Sequence, residues 1–216
     1  MAIELISVNV GKPAIQKFEG LEVLTGIDKT PVRGPLYLSR INLDGDEQAD
    51  LINHGGTDKA ICVYCAEHYS HCEQVLGVKL AMGAFGENFT IRGLTEQEVC
   101  IGDVFQVGEA VVQVTQPRGP CYKLGRKHRF LELPIMLEQR GYTGYYFRVL
   151  LEGTVAPGLA VVPVERHPLG VTVAEANRLM YRDKHEEAGL RRILSVAELS
   201  ESWRGKFASR LAEVGP

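Results

Sequence analysis

Val112-Gln113-Val114-Thr115-Gln116-Pro117-Arg118-Gly119-Pro120-Cys121-Tyr122-Lys123 begins as a strand and ends as a turn. Apolar and polar residues alternate through Thr115, the period of a half-buried β-strand. Pro117, Gly119 and Pro120 then stop the ladder, because proline lacks the N–H that pairing needs. Cys121 follows at once, with Arg118 and Lys123 on either side. Nearby cations favour the thiolate, the form of cysteine that attacks or binds metal. A helical run starting here adds partial positive charge. The residues alone leave two readings level: a metal ligand or nucleophile, or a turn cysteine among ordinary surface charges.

Outward from that stretch the pattern is mostly β. Residues 99–107 and 110–115 read as a hairpin joined at Gly108-Glu109. Segments 4–10, 36–43, 60–64, 85–91, 145–151 and 158–164 read as further strands, with 21–26 a shorter one. Helices are expected over 66–76, closed by Gly77, and over 134–140, with Pro134 in the first turn and Gly141 at the end. Many short strands with few helices predict a mainly β fold with α, of sandwich or barrel type.

After Pro168-Leu169-Gly170 the composition changes. Thr172 with Glu175, and Ser195 with Glu198, have the spacing of capping boxes. Residues 186–194 form a helical piece between them, weakened by Gly189. Val196, Leu199, Trp203, Phe207 and Leu211 recur at three- and four-residue steps, an amphipathic helix. The expected division is a β domain over 1–168 and a small C-terminal helical bundle over 169–216. Helices this short must pack on something.

Charge and composition exclude several classes. The 216 residues hold 24 Lys and Arg against 27 Asp and Glu, a net charge of −3, so bulk charge gives no case for nucleic-acid binding. Tyr142, Tyr145, Tyr146 and Arg148 fit strand alternation better than a base-stacking patch. No run of about 18 apolar residues predicts a membrane span. The early Glu4 and the lack of a basic start argue against a signal peptide, so a cytoplasmic location is expected. The five cysteines, Cys62, Cys65, Cys72, Cys100 and Cys121, are then free thiols.

Other stretches carry polar groups in unusual places. In Asn53-His54-Gly55-Gly56-Thr57-Asp58-Lys59, paired glycines permit close backbone approach. Their N–H groups beside His54 and Lys59 suit an anion, although a plain Gly-Gly turn is the commoner use. Cys62-x-x-Cys65 with Cys72 imitates a zinc or redox motif. It straddles a strand–helix junction and no second pair completes it, so these read as buried structural thiols. His68 and His71, three apart on a helix, read as surface residues. Glu87 and Asn88 either line a site or satisfy a turn.

Four motifs in order, Thr25-Gly26-Ile27-Asp28-Lys29-Thr30-Pro31-Val32, Asp50 through Ala60, Phe85-Gly86-Glu87-Asn88 and Gln116-Pro117-Arg118-x-Pro120-Cys121-x-Lys123, resemble a MOSC domain, the C-terminal domain type of molybdenum-cofactor sulfurases. The helical tail resembles the bacterial YiiM-type branch. The resemblance covers nearly the whole chain and implies a β-barrel-like fold that binds molybdenum cofactor, a pterin dithiolene bearing a phosphate. It implies Cys121 as the molybdenum ligand, with Lys29, His54, Gly55, Gly56, Lys59, Asn88, Arg118 and Lys123 around the cofactor. His54 is also a candidate catalytic residue, ranked first as a brace or cofactor contact. The implied activity is reduction of N-hydroxylated small molecules such as hydroxylaminopurine-type bases. Electrons would come from a separate flavoprotein or iron–sulfur reductase. The alternative is a sulfur carrier holding a persulfide on Cys121, without its own reductive turnover.

Overall fold

The computed structural model describes residues 2–18 and 20–214, with the side chains of Ile52 and Asn53 set aside. Twelve strands are present among the described residues: β1 (Glu4–Val10), β2 (Ala14–Phe18), β3 (Leu21–Thr25), β4 (Thr30–Pro31), β5 (Leu36–Leu38), β6 (Ile61–Cys65), β7 (Phe89–Arg92), β8 (Val104–Val107), β9 (Ala110–Pro117), β10 (Tyr145–Leu151), β11 (Gly153–Val155) and β12 (Val161–Glu165). Helices are α1 (Leu51–His54), α2 (Tyr69–Leu76), α3 (Tyr122–Lys127), α4 (Leu133–Arg140), α5 (Val173–Tyr181), α6 (Glu187–Leu194) and α7 (Glu201–Val214).

Eight strands form one sheet in the order β12-β8-β9-β10-β6-β7-β1-β4. Every pair in it is antiparallel except β6 with β7, whose parallel register needs the crossover through α2. The sheet curls on itself. Leu5 N donates to Leu159 O at 2.9 Å, Gly158 N to Leu5 O at 2.7 Å and Val161 N to Ile3 O at 3.0 Å. The lead-in to β12 thus returns to β1, and the fold is barrel-like although the ladder is not continuous all round.

The sheet interior is apolar, with Leu5, Val63, Phe89, Ile91, Val112, Tyr145 and Phe147 buried. The same core continues into Val173, Leu179, Leu190, Ile193, Trp203 and Phe207, so the tail helices pack on the sheet as well as on each other. That contact supplies what short helices lack alone. A second cluster, Tyr64, Tyr69, Phe85, Leu124, Leu133 and Leu137, lies under α2, α3 and α4.

Several expected elements differ. The strand over 36–43 stops at Leu38, because Ser39 and Asn42 turn their side chains onto nearby backbone, the Ser39 hydroxyl donating to Asn42 O at 2.9 Å. Phe85 to Asn88 is a turn, and β7 begins only at Phe89. Residues 99–103 likewise turn, held by Asp103 Oδ2 accepting from Cys100 N at 2.9 Å. Strands β2 and β11 were not expected; Ile15, Leu21 and Leu24 on the β2–β3 ribbon are exposed, so no alternation marks it. Thr172 does cap α5, accepting from Glu175 N at 3.0 Å. Ser195 does not cap a helix start. It ends α6, and Ser200 Oγ accepts from Trp203 N at 3.3 Å at the start of α7. Gly189 is a packing residue: a Cβ there would meet Leu179 Cδ2 at 2.6 Å.

Candidate functional site

β9 delivers the central stretch. Arg118 N donates to Gly144 O at 3.0 Å, tying the chain to the loop before β10. Its buried guanidinium donates Nη2 to Phe85 O at 2.6 Å. Pro120 and Cys121 then lead into α3, with Cys121 extended at φ −86° and ψ 142°. Cys62, Cys65, Cys72 and Cys100 are buried, and burial pushes each of those thiols up from its ordinary pKa. Cys121 alone of the five is partly exposed.

Cys121 lines a pocket with His54, Lys59, Arg118 and Lys123, and Lys29 and Asn88 line it too. The motifs distant in sequence therefore meet. Their supports are buried polar networks. Asp46 accepts from Gly11 N at 2.9 Å, from Asn88 Nδ2 at 2.9 Å and from Lys29 Nζ. Asn88 Oδ1 accepts from Cys62 N at 3.1 Å. The Lys29 ammonium is thus neutralised inside the wall. Glu87 does not face the pocket. It accepts from Gly83 N at 3.0 Å, Phe85 N at 3.1 Å, Thr90 Oγ1 at 2.8 Å and Tyr69 Oη, and so fixes the Phe85-Gly86-Glu87-Asn88 turn. Four donors on one carboxylate offset the cost of burying its charge.

The Gly-Gly segment is not one open loop. α1 ends at His54, and a 3-10 turn spans Thr57–Lys59. Gly56 joins them at φ 96°, a conformation that disfavours any side chain. Gly55 and Gly56 lie outside the pocket lining; they aim His54 and Lys59 into it. His54 Nδ1 is buried without a hydrogen-bond partner. Burial, then the charges of Arg118, Lys123 and Lys59, pull its pKa down to about 4, against an opposing pull from Asp50. Lys59 is also lowered, by burial first and then by Lys206 of α7.

The helical tail supports this wall. Asp58 Oδ1 accepts from Arg148 Nη2 at 2.6 Å and Oδ2 from Glu201 N at 3.3 Å, linking the 3-10 turn to the start of α7. Ser202 Oγ donates to Gln116 Oε1 at 3.1 Å. Sequence reasoning missed Cys62 and Tyr146, which also line the pocket. They are opposite one another in the β6–β10 register, a pairing that only the fold reveals.

His68 and His71 contradict the surface reading, while Cys65 is buried as expected. His68 is buried, stacked on Tyr142 with ring centroids 3.8 Å apart, and His71 is partly buried. His68 Nε2 lies 2.7 Å from Glu96 Oε2, and Cys65 Sγ lies 3.5 Å from the same oxygen. Spacing on a helix identified neighbours of these residues but not the loop after β7 that covers them.

A cationic pocket with one accessible thiol, on a curled sheet carrying three tail helices, defines the class. The chain belongs to the MOSC family: the MOSC domain matches residues 50–162, and the YiiM-like, 3-alpha helix domain matches residues 171–213. It is 50% identical over 206 residues to YflK of Bacillus subtilis, covering 95% of this chain and 93% of that one. The crystal structure of YiiM from Geobacillus stearothermophilus superposes with a TM-score of 0.83 at 42% identity, over 97% of this chain and 99% of that one. A Gibberella moniliformis protein named Reductase is 32% identical over 151 residues, 68% of this chain but 27% of its own length. No helix among the described residues is long and apolar enough to cross a membrane.

Proposed function

We propose that the pocket binds molybdenum cofactor through Cys121 and that the loaded protein reduces N-hydroxylated small molecules with electrons from a separate reductase. One observation carries this reading: the partly exposed thiol among five shares a pocket with His54, Lys59, Arg118 and Lys123. A soft sulfur donor suits a soft-ligand metal. Lys59 and Lys123 meet the anionic phosphate and dithiolene, while Arg118 keeps its guanidinium on Phe85 O and contributes fixed positive charge. The unpartnered Nδ1 of His54 offers a polar contact to the pterin. The fungal relative named Reductase, which shares this region over 27% of its length, is consistent with a redox role.

The cofactor supplies two-electron transfer at the metal. Cleaving N–O to amine and water consumes two electrons and two protons. His54, its pKa lowered to about 4, is uncharged near neutral pH, and an anion bound beside it raises its proton affinity. Protein expressed in a host that makes the cofactor should carry molybdenum and reduce hydroxylaminopurine with an added electron donor. Cys121→Ser should lose both while keeping the parent's fold. Equal turnover by that variant, or a sulfur adduct on Cys121 without molybdenum, rejects the reading.

A further inference from the structure

We propose that Cys65, His68 and Glu96 form a structural zinc site, separate from the Cys121 pocket. Cys65 ends β6 and His68 ends the 3-10 turn Ala66–His68, so the two ligands lie three residues apart across one tight turn. Glu96 comes from the loop after β7, the parallel neighbour of β6. The Cys65 Sγ, a His68 ring nitrogen and a Glu96 carboxylate oxygen, one donor atom from each, lie within 4.8 Å of one another. Zinc bonds of about 2.3 Å to sulfur and about 2.0–2.1 Å to nitrogen or oxygen set tetrahedral ligand separations of roughly 3.3–3.6 Å. The 3.5 Å between Sγ and Oε2 already fits, and the 2.7 Å between Nε2 and Oε2 needs only a small widening. Leu94 O, 3.5 Å from Sγ, or a water completes the fourth position.

Outer contacts hold each donor in place, as metal sites require. Gly144 N donates to Glu96 Oε1 at 2.7 Å and leaves Oε2 for the centre. Tyr142 stacks on the His68 ring, and Tyr145 Oη donates to Leu94 O at 3.1 Å. Access exists as well: His68 and Glu96 line a cavity of about 470 Å³ between this loop and α5. That cavity shares no lining residue with the Cys121 pocket. Mixed sulfur, nitrogen and oxygen donors favour zinc over magnesium or calcium, which take oxygen alone. Metal entry displaces the thiol proton to solvent. Nε2 gives up the proton it shares with Glu96, to Nδ1 or to solvent, and no electron moves.

The test uses full-length Cys121→Ser protein under reducing conditions, so that the partly exposed thiol cannot contribute. Titration with cobalt(II) should produce a near-ultraviolet thiolate-to-cobalt band that saturates at one metal per chain, and equimolar zinc should abolish it. His68→Gln, which keeps the thiol, should weaken cobalt binding at least about tenfold, and Cys65→Ser should remove the band. If Cys65→Ser does not fold, the titration of Cys121→Ser and the His68→Gln comparison still decide. No band at millimolar cobalt, or a band that survives replacement of Cys65 or is unchanged in His68→Gln, overturns the proposal.

Discussion

Cys121 and Cys65 are the same side chain in opposite settings. Cys121 stands at the end of an irregular turn, partly exposed, in a pocket whose His54 nitrogen lacks a partner. Cys65 is fully buried, and its contacts to Leu94 O and Glu96 Oε2 satisfy it within the chain. The first region keeps polar capacity open toward a ligand. The second pairs its polar groups with one another and joins three segments, and the zinc proposed there would replace those internal contacts. A buried polar group without a partner costs about 1–3 kcal/mol, a cost that a ligand bound beside His54 Nδ1 would offset.

The sharpest way to break the comparison is to exchange what each sulfur loses. Cys121→Ser should lower reductive turnover by more than the about 10–100-fold that removal of an outer-shell partner costs a metal site. Its urea midpoint should stay near the parent's, because partly exposed substitutions usually change stability by under about 0.5 kcal/mol. Glu96→Ala should do the reverse. It removes the partner of His68, Cys65 and Gly144 N together and should cost about 3 kcal/mol in denaturant unfolding, with turnover per folded molecule retained.

A smaller effect comes from pH. His54 titrates at its ordinary value of 6.5 when unfolded and near 4 when folded. The unfolded chain therefore takes up the proton first, and stability falls as pH drops from about 6.5 to about 4, then levels off for this group. After discount for partial exposure the loss is on the order of 2 kcal/mol. Chemical denaturation across that window should show a shallower slope for His54→Gln than for the parent; equal slopes would remove His54 as the cause. The smallest effect is at the rim. Lys59→Ala and Lys123→Ala should each weaken cofactor retention about tenfold, a loss of about 1.4 kcal/mol, and added salt should shrink the difference from the parent.

The two regions also differed in how far the sequence displayed them. Cys121 was legible because the disruption is local: prolines, a glycine and cations within eight residues. β1, β6, β9 and β10 were legible because a buried face writes alternation or a continuous apolar run into the chain. His68 was misread because its cover, Glu96 and Tyr142, lies far along the chain. Tyr146 was assigned to the core for its alternation, yet its register with Cys62 also places it in the pocket. Ser195 satisfied a capping pattern that Ser200 fulfils in fact, since a short spacing motif cannot choose between two nearby serines. The role of the tail helices followed from no motif, because Asp58 reaches Glu201 only after folding.

The return of residues 158–161 to β1 has a consequence for synthesis. β1 leaves the ribosome well before its partners at Phe89–Arg92 and at Gly158 to Val161. Through that interval a strand whose Leu5 and Val8 are buried in the folded protein waits with unpaired edges. Long-range pairing of this kind slows folding and leaves a template for intermolecular contact. Nascent chains of this protein should therefore depend on chaperone shielding of their N-terminal segment until β12 has been made.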